Sequence, residues 1–316
     1  RVMAGDITKM KADAIIVNLF EGVERPDGAT GEVDKALEGA ITRLIAGGEM
    51  KGKDGEVTLI HTLGKMDADR VVVVGLGKQE KFNLERVRAA TAEALRSLRR
   101  AGVGLVGTIA HGAGALDHGD VAQAICEGAT LGLYTFKKHI TKEPEFKEIK
   151  ELLIVEGDEG RLPQMESGLL RGKAIAEATC LARDMANEPA NHMTPTDMAE
   201  AAGKVADEGG LELRIIEREE MEELGMGALL GVAQGSRQPP KLITISYKGD
   251  PSSQNTLGFV GKGVTFDSGG ISIKPSEGMG DMKGDMAGGA AVIAAMRAIA
   301  ELGPRINVTA LVPATE

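Results

Sequence analysis

Tryptophan is absent from this 316-residue chain, and all aromatic residues together make up 3% of it. Its cores must therefore be built from Ala, Val, Ile, Leu and Met, with 43 glycines letting backbones approach closely. Cysteine is almost as scarce. Cys126 and Cys180 are the only two, too few for a disulfide framework and too isolated for a thiolate metal site. Each falls in a helical pattern, where it reads as a small buried hydrophobe. No apolar run approaches the ~20 residues that a membrane helix needs, and no basic, apolar leader opens the chain. Cytoplasm, with no membrane, is the simple inference. The histidines His61, His111, His118, His139 and His192 fall in no HExxH or other paired spacing, which argues against a histidine-based zinc site; His118 and His192 read as structural or exposed. Positive charge is also in deficit. With 37 basic and 47 acidic residues the formal net charge is −10, so a bulk preference for nucleic acid, which rests on neutralising phosphates, is excluded.

What is present is the ordinary balance of a soluble globular protein, 42% hydrophobic and 27% charged. The length suggests two domains. The chain opens at Arg1 rather than Met and stops at Glu316, just after an apparent strand, the pattern of a trimmed or incompletely represented chain. In the first half, residues 12–20, 56–62 and 70–75 (RVVVVG) read as strands, the last a Val run suited to a buried parallel strand. Residues 31–46 and 84–100 show helical spacing, and in the second Leu84, Val87, Ala90, Ala94 and Leu98 share one face. Residues 103–110 and 151–155 are further strands and 118–133 a helix. This βαβ rhythm predicts a largely parallel sheet. A polar Gly/Pro stretch, 157–164, marks the best boundary. It gives domains at 1–160 and 187–316, joined by a helix over 161–186. In the second half Thr194-Pro195 signals a helix start. Strand 211–216, helix 219–230, strands 242–247 and 256–264, helix 286–302 and strand 306–312 follow. The fold class is α/β, two domains in series.

Chemistry concentrates in residues 258–287, GFVGKGVTFDSGGISIKPSEGMGDMKGDMA. A strand delivers Lys262 and Asp267, Ser268-Gly269-Gly270 turns the chain, Lys274 follows, and Asp281 and Asp285 lie in a loop rich in Gly and Met. Clustered carboxylates on flexible backbone suit hard divalent cations. Two lysines fit such a site if one is a ligand, held deprotonated by the metal, while the other stays cationic and polarises a substrate oxygen. Taken singly, Lys262 and Asp267 would form a surface ion pair worth ~0–1 kcal/mol. Asp281 and Lys283 read as solvated charges, Met279, Met282 and Met286 as core fillers, and Gly288-Gly289 as close helix packing. Density favours function: charge in an apolar, Gly-rich turn is costly to bury unpaired.

The run VGKGVTFDSGGISIKP followed by MKGDMAGGAAV closely resembles the signature of the leucyl aminopeptidase (cytosol aminopeptidase) family of metallopeptidases, and NEPANHMTP (187–195) resembles the opening of that family's catalytic domain. The first half resembles the family's smaller, macro-like domain in architecture and in loose motifs such as GDIT and DAIIVN. The resemblance implies a macro-like three-layer α/β domain, then a catalytic α/β domain with a central mixed sheet. It makes Lys262, Asp267 and Asp285 metal ligands, Asp267 bridging two divalent ions, Mn2+ or Zn2+. Lys274 becomes the catalytic lysine, which also contacts substrate, and Met282 lines the pocket for the substrate's first side chain, suited to Leu. It further implies peptide substrates cut at the N-terminus, where one metal takes the free amine, and a homohexameric assembly. One family element falls outside the chain: the Asp-x-Glu-x-Arg of an NTDAEGR motif, supplying two further carboxylate ligands and the arginine that holds a bicarbonate. Weak metal binding and little hydrolysis by this chain alone are therefore expected. Gly284 stands where the family often has a bulkier residue.

Two other classes compete. Residues 4–17 faintly resemble the start of macro domains, which bind ADP-ribose, but 18–20 lacks their small-residue pattern and the lone Gly75-Leu76-Gly77 is weak as a phosphate loop. A paralogue with a decayed site is the other. A serine hydrolase at Ser268 fails for want of a G-x-S-x-G context and a histidine partner.

Overall fold

The computed structural model of the chain describes residues 1–112, 114–142 and 147–316. It divides into two units, Arg1–Ala176 and Glu177–Glu316, each built on one sheet. In the first, the order is β1 (Val2–Ala4), β2 (Ala14–Leu19), α1 (Gly28–Ala36), α2 (Ala40–Ala46), β3 (Val57–His61), β4 (Arg70–Gly75), α3 (Leu84–Arg100), β5 (Leu105–Thr108), α4 (His118–Leu133) and β6 (Glu151–Glu156). The strands lie in the order β1-β6-β5-β2-β4-β3. Every pairing is parallel except that of β3 with β4.

The near-continuous apolar runs of β2 and β4 follow from burial on both faces. Because successive side chains alternate, Ile15, Val17, Val71 and Val73 pack with Val33, Leu37 and Ile41 of α1 and α2. Ala14, Ile16, Val72 and Val74 pack on the opposite face with Ala90, Ala94, Leu95 and Leu98 of α3. The result is three layers, as expected. The short β1 gave no periodic signal; it is mostly exposed, and its backbone pairing with β6, Val2 opposite Ile154, is what holds it.

The single helix expected over 31–46 is two. Glu38 and Gly39 both take left-handed φ, 56° and 79°, and the chain reverses there. Buried Asp34 then caps α2, accepting from Ile41 N at 2.7 Å, Thr42 N at 3.1 Å and Thr42 Oγ1 at 2.5 Å. Nor are Cys126 and Cys180 fully buried; both are half-exposed.

α5 (Leu162–Asn187) is a single 26-residue helix. The second unit continues with α6 (Pro195–Gly209), β7 (Glu212–Ile216), α7 (Arg218–Glu223), α8 (Gly227–Ala233), β8 (Lys241–Lys248), β9 (Leu257–Val260), β10 (Gly263–Val264), α9 (Ala287–Leu302) and β11 (Asn307–Thr315). At the start of α6 the Thr194 side chain accepts from Asp197 N and Asp197 reaches back to Thr194 N, a capping box with Pro195 in the first turn. Strands β7, β8 and β11 are antiparallel, and β9 and β10 both join β11 in parallel, a mixed sheet. One face of it carries the core: Ile243, Ile245, Val308, Ala310 and Val312 against Met198, Ala202 and Val205 of α6 and Ala290, Ile293 and Met296 of α9. Full burial of each Ile or Met contributes about 1.5–3 kcal/mol. The helix expected over 219–230 is interrupted at Gly225, φ 67°, which separates α7 from α8. The strand expected over 256–264 also breaks, between β9 and β10. Among the described residues no helix is long and apolar enough to cross a membrane.

Candidate metal centre

The break between β9 and β10 leaves Gly261-Lys262 outside regular structure, packed against the first turn of α9. Gly289 N donates to Lys262 O at 2.7 Å. A Cβ on Gly261 would lie 2.5 Å from Gly288 O, and one on Gly289 would lie 2.7 Å from Val312 Cγ1 and 3.0 Å from Lys262 O. Glycine is required at both positions by close approach; of the pair Gly288-Gly289 read as close helix packing, Gly289 has that role, whereas a Cβ on Gly288 would make only ordinary contacts, the nearest 3.4 Å from Lys262 N. The helix start thus fixes the backbone from which the Lys262 side chain leaves.

Downstream, the chain makes a closed turn. Gly269 N donates to Asp267 Oδ1 at 2.9 Å and Lys274 N to Ser268 O at 2.9 Å. Gly269 has φ 88°, and a Cβ there would meet Ser272 O at 2.4 Å. The turn brings Lys274 back over Asp267, with Nζ 2.6 Å from Asp267 Oδ2 and 3.3 Å from Met282 Sδ. Hydrogen bonds from Lys274 and then from the Gly269 amide, with the charges of Lys274 and Lys262, hold the Asp267 carboxyl below the ordinary carboxylate range. Asp267 is thereby kept ionised.

The loop expected after Lys274 contains a 3-10 helix, Met279–Met286, that runs directly into α9. Met286 anchors it in the core, fully buried, while Met279 and Met282 are only half-buried. Asp285, next to the anchor, lies with its Oδ2 2.7 Å from Lys262 Nζ. Asp285 Oδ2 is thus a buried oxygen whose contact with Lys262 is an ion pair and not a hydrogen bond. Lys283, read as a solvated charge, makes one surface hydrogen bond: its Nζ donates to Asn187 O at 2.5 Å, placing a cation on the C-terminal carbonyl of α5, where the helix dipole favours one. Asp281 is exposed, as expected.

Five sequence-predicted residues therefore come together. Lys274 touches both Asp267 and Met282, Lys262 pairs with Asp285, and the Lys262 charge acts on Asp267. Among the described residues no cluster of three His, Cys, Asp or Glu forms, so two carboxylates and two amines are the whole of this donor set. Asp267 also lines a cleft of about 810 Å3, to which Gly231, Gln234, Ser236 and Glu316 contribute as well. Ser236 Oγ donates to the Glu316 carboxylate. Nothing in the composition of GVAQGS marks that lining, which only the fold brings to the same cleft as Asp267.

The chain was compared with known proteins. The sequence model of the cytosol aminopeptidase family's N-terminal domain matches residues 16–143, and that of its catalytic domain matches 180–316. A probable cytosol aminopeptidase of Alkaliphilus metalliredigens is 42% identical over 319 residues, covering 100% of this chain and 64% of that protein. Another, from Solibacter usitatus, is 45% identical over 309 residues, covering 98% of this chain and 61% of that protein. The chain thus spans a little under two thirds of the length of these relatives. Among solved structures, a mutant of tomato leucine aminopeptidase superposes with a TM-score of 0.84 at 26% identity, covering 100% of this chain and 62% of that one. The bottromycin maturation enzyme BotP in complex with Mn superposes with a TM-score of 0.78 at 32% identity, over 96% of this chain and 60% of that one. With both domain models matched in order and that level of identity along its whole length, the chain belongs to the cytosol aminopeptidase family.

Proposed function

We propose that the second unit is the metal-binding core of a metallo-aminopeptidase that releases N-terminal, leucine-like residues from peptides. The observation that carries this reading is the unsatisfied Asp285 Oδ2, buried and faced at 2.7 Å by the Lys262 amine. A buried carboxylate oxygen with no hydrogen bond is costly; a divalent cation between it and a deprotonated Lys262 would satisfy both atoms. The donor set fits such an ion. Lys262, Asp267 and Asp285 would hold two divalent ions, Mn2+ or Zn2+; the Mn present in BotP supports the first. Bound there, two divalent ions supply the Lewis acidity that amide hydrolysis needs.

The chain's own residues do the rest. Lys262 would hold the ion through its neutral amine. Lys274 keeps its proton and turns its ammonium from Asp267 to the scissile carbonyl oxygen, where negative charge develops. The Met282 thioether, in contact with the Lys274 amine, offers an adaptable apolar surface to the first side chain of the substrate. The 810 Å3 cleft beside Asp267 has room for a peptide. In this reading the working protein is a cytoplasmic homohexamer.

Calorimetric titration of the chain with Mn2+ tests the proposal without relying on turnover. Asp285→Asn and Lys262→Met are expected to weaken binding by about tenfold or more, as loss of metal-site partners does. Lys274→Met, which removes no ligand, is expected to leave Mn2+ affinity within about threefold. Equal affinity in all three variants and the parent would overturn it.

A further inference from the structure

The first unit contains a cavity that the proposed peptidase chemistry does not use. It measures about 370 Å3 and sits at the C-terminal ends of β2, β5 and β6, lined by Asn18 near the end of β2 and Phe20 just after it, His111 after β5, Glu156 at the end of β6 and Arg161 beyond it. β2 and β5 are neighbours in the sheet, yet the chain leaves them in opposite directions. After β2 it enters α1, which packs with Ile15 and Val17; after β5 it enters α4, which packs on the face carrying α3. Two adjacent parallel strands with connections to opposite faces open a crevice between them, the place where open α/β sheets bind ligands.

The walls are more specific than that topology alone requires. His111 is 1% exposed and burial pushes it down to about 4 from its ordinary 6.5, so it is a neutral imidazole. Its Nδ1 lies 3.2 Å from Asn18 Nδ2 and its Nε2 lies 3.4 Å from Thr108 Oγ1. Asn18 Nδ2 can only donate, so Nδ1 accepts and the proton sits on Nε2. A buried histidine held in one tautomer therefore fixes the amide of Asn18, which lines the cavity and has an acceptor and a second N–H not used by His111. Thr30 Oγ1 donates to Asn18 O at 2.8 Å and ties the same residue to α1. The Phe20 ring is held edge-to-face by Phe82, with centroids 5.2 Å apart and planes at 88°.

Charge narrows the ligand. The lining carboxylates are Asp27, which makes no capping hydrogen bond to α1, and Glu156, which is paired at 3.6 Å with the lining Arg161. With His111 neutral, the lining Asp, Glu and Arg sum to −1, and no unpaired guanidinium or ammonium among them awaits a strong anion. A flat apolar ring with a donor–acceptor edge suits Phe20 and the fixed Asn18 amide; hydroxyls or an exocyclic amine suit Asp27. From the fixed amide, the ring platform and this charge balance, we propose that the cavity binds a nucleoside, its base edge read by Asn18.

Calorimetric titration of the full 316-residue chain with adenosine, AMP and ADP-ribose, in the absence of added metal, tests this. Adenosine is expected to bind, and Asn18→Leu to weaken it by about tenfold or more through loss of a buried hydrogen-bonding edge. Because Asn18→Leu strands His111 Nδ1 and can destabilise the unit, Ala29→Phe serves as the second variant. It leaves the Asn18–His111 pair intact and fills the cavity from α1, and it is expected to abolish binding while retaining the parent's circular dichroism spectrum. Tighter binding of AMP or ADP-ribose than of adenosine, still lost in both variants, would support the nucleoside site and make its natural source a nucleotide. No heat with any of the three at millimolar concentration overturns the proposal, as does adenosine binding that survives Ala29→Phe.

Discussion

His111→Gln removes a titrating group from the centre of the first unit while keeping its geometry, because a glutamine amide offers one acceptor and one donor, as the neutral imidazole does. In the folded chain His111 titrates at about 4, because burial disfavours its charged form. In the unfolded chain it titrates near its ordinary 6.5. Above the unfolded value neither state binds the proton, so the histidine costs nothing. Between about 6.5 and 4 the unfolded state binds more protons than the folded one, and stability falls as pH falls. The full span, 2.5 units at 1.36 kcal/mol each, is about 3 kcal/mol; between about pH 7.5 and pH 5 the loss from this residue is about 2 kcal/mol. Urea unfolding followed by circular dichroism at those two pH values, on parent and variant, reads the difference. The parent should lose about 2 kcal/mol more than His111→Gln in the transition that reports the first unit. An equal loss in the two proteins would show that His111 is reached by protons in the fold, and the burial argument would fail.

Three further outcomes follow from the second unit. Gly289→Ala places a Cβ 2.7 Å from Val312 Cγ1 and 3.0 Å from Lys262 O, so it should destabilise by about 1–3 kcal/mol in urea and weaken Mn2+ binding by displacing Lys262. Lys274→Met removes the largest influence lowering Asp267; the Asp267 carboxyl should then titrate at higher pH in an NMR pH series, still lowered by the Gly269 amide. On the proposed reading, leucine anilide with added Mn2+ should be hydrolysed slowly by the 316-residue chain, since only the two carboxylates Asp267 and Asp285 would serve two divalent ions; a rate near that of full-length relatives would refute this.

Much of the fold was legible because burial on two faces leaves a run such as Val71–Val74 no other use, and because α3 and α6 announce themselves by periodicity and by a cap. Breaks were harder. Glu38 reverses the chain although nothing about glutamate favours φ 56°; what stabilises the reversal is Asp34 capping α2 across it, a contact between residues seven and eight apart that no periodicity encodes. The split between β9 and β10 was equally hidden, since Gly261 reads as a weak point in a strand until Gly288 O is seen to occupy the space of its missing side chain.

The candidate site was legible for a different reason. Its residues lie within 24 positions, from Lys262 to Asp285, so density draws attention to the stretch, while the family resemblance is what picks out Lys262, Asp267, Lys274, Met282 and Asp285 within it. Sequence density does not reveal which lysine belongs to which aspartate. Geometry divides them unequally: Lys274 donates a hydrogen bond to Asp267 and is shared with a thioether, whereas Lys262 faces Asp285 without one. A cation hydrogen-bonded to a carboxylate is held in place to meet an oxygen that gains negative charge, and an amine facing a buried oxygen without a hydrogen bond is placed to share a metal ion with it. The unequal pairing therefore supports the proposed division of labour, Lys274 as the cation and Lys262 as the metal ligand, which the spacing alone leaves open.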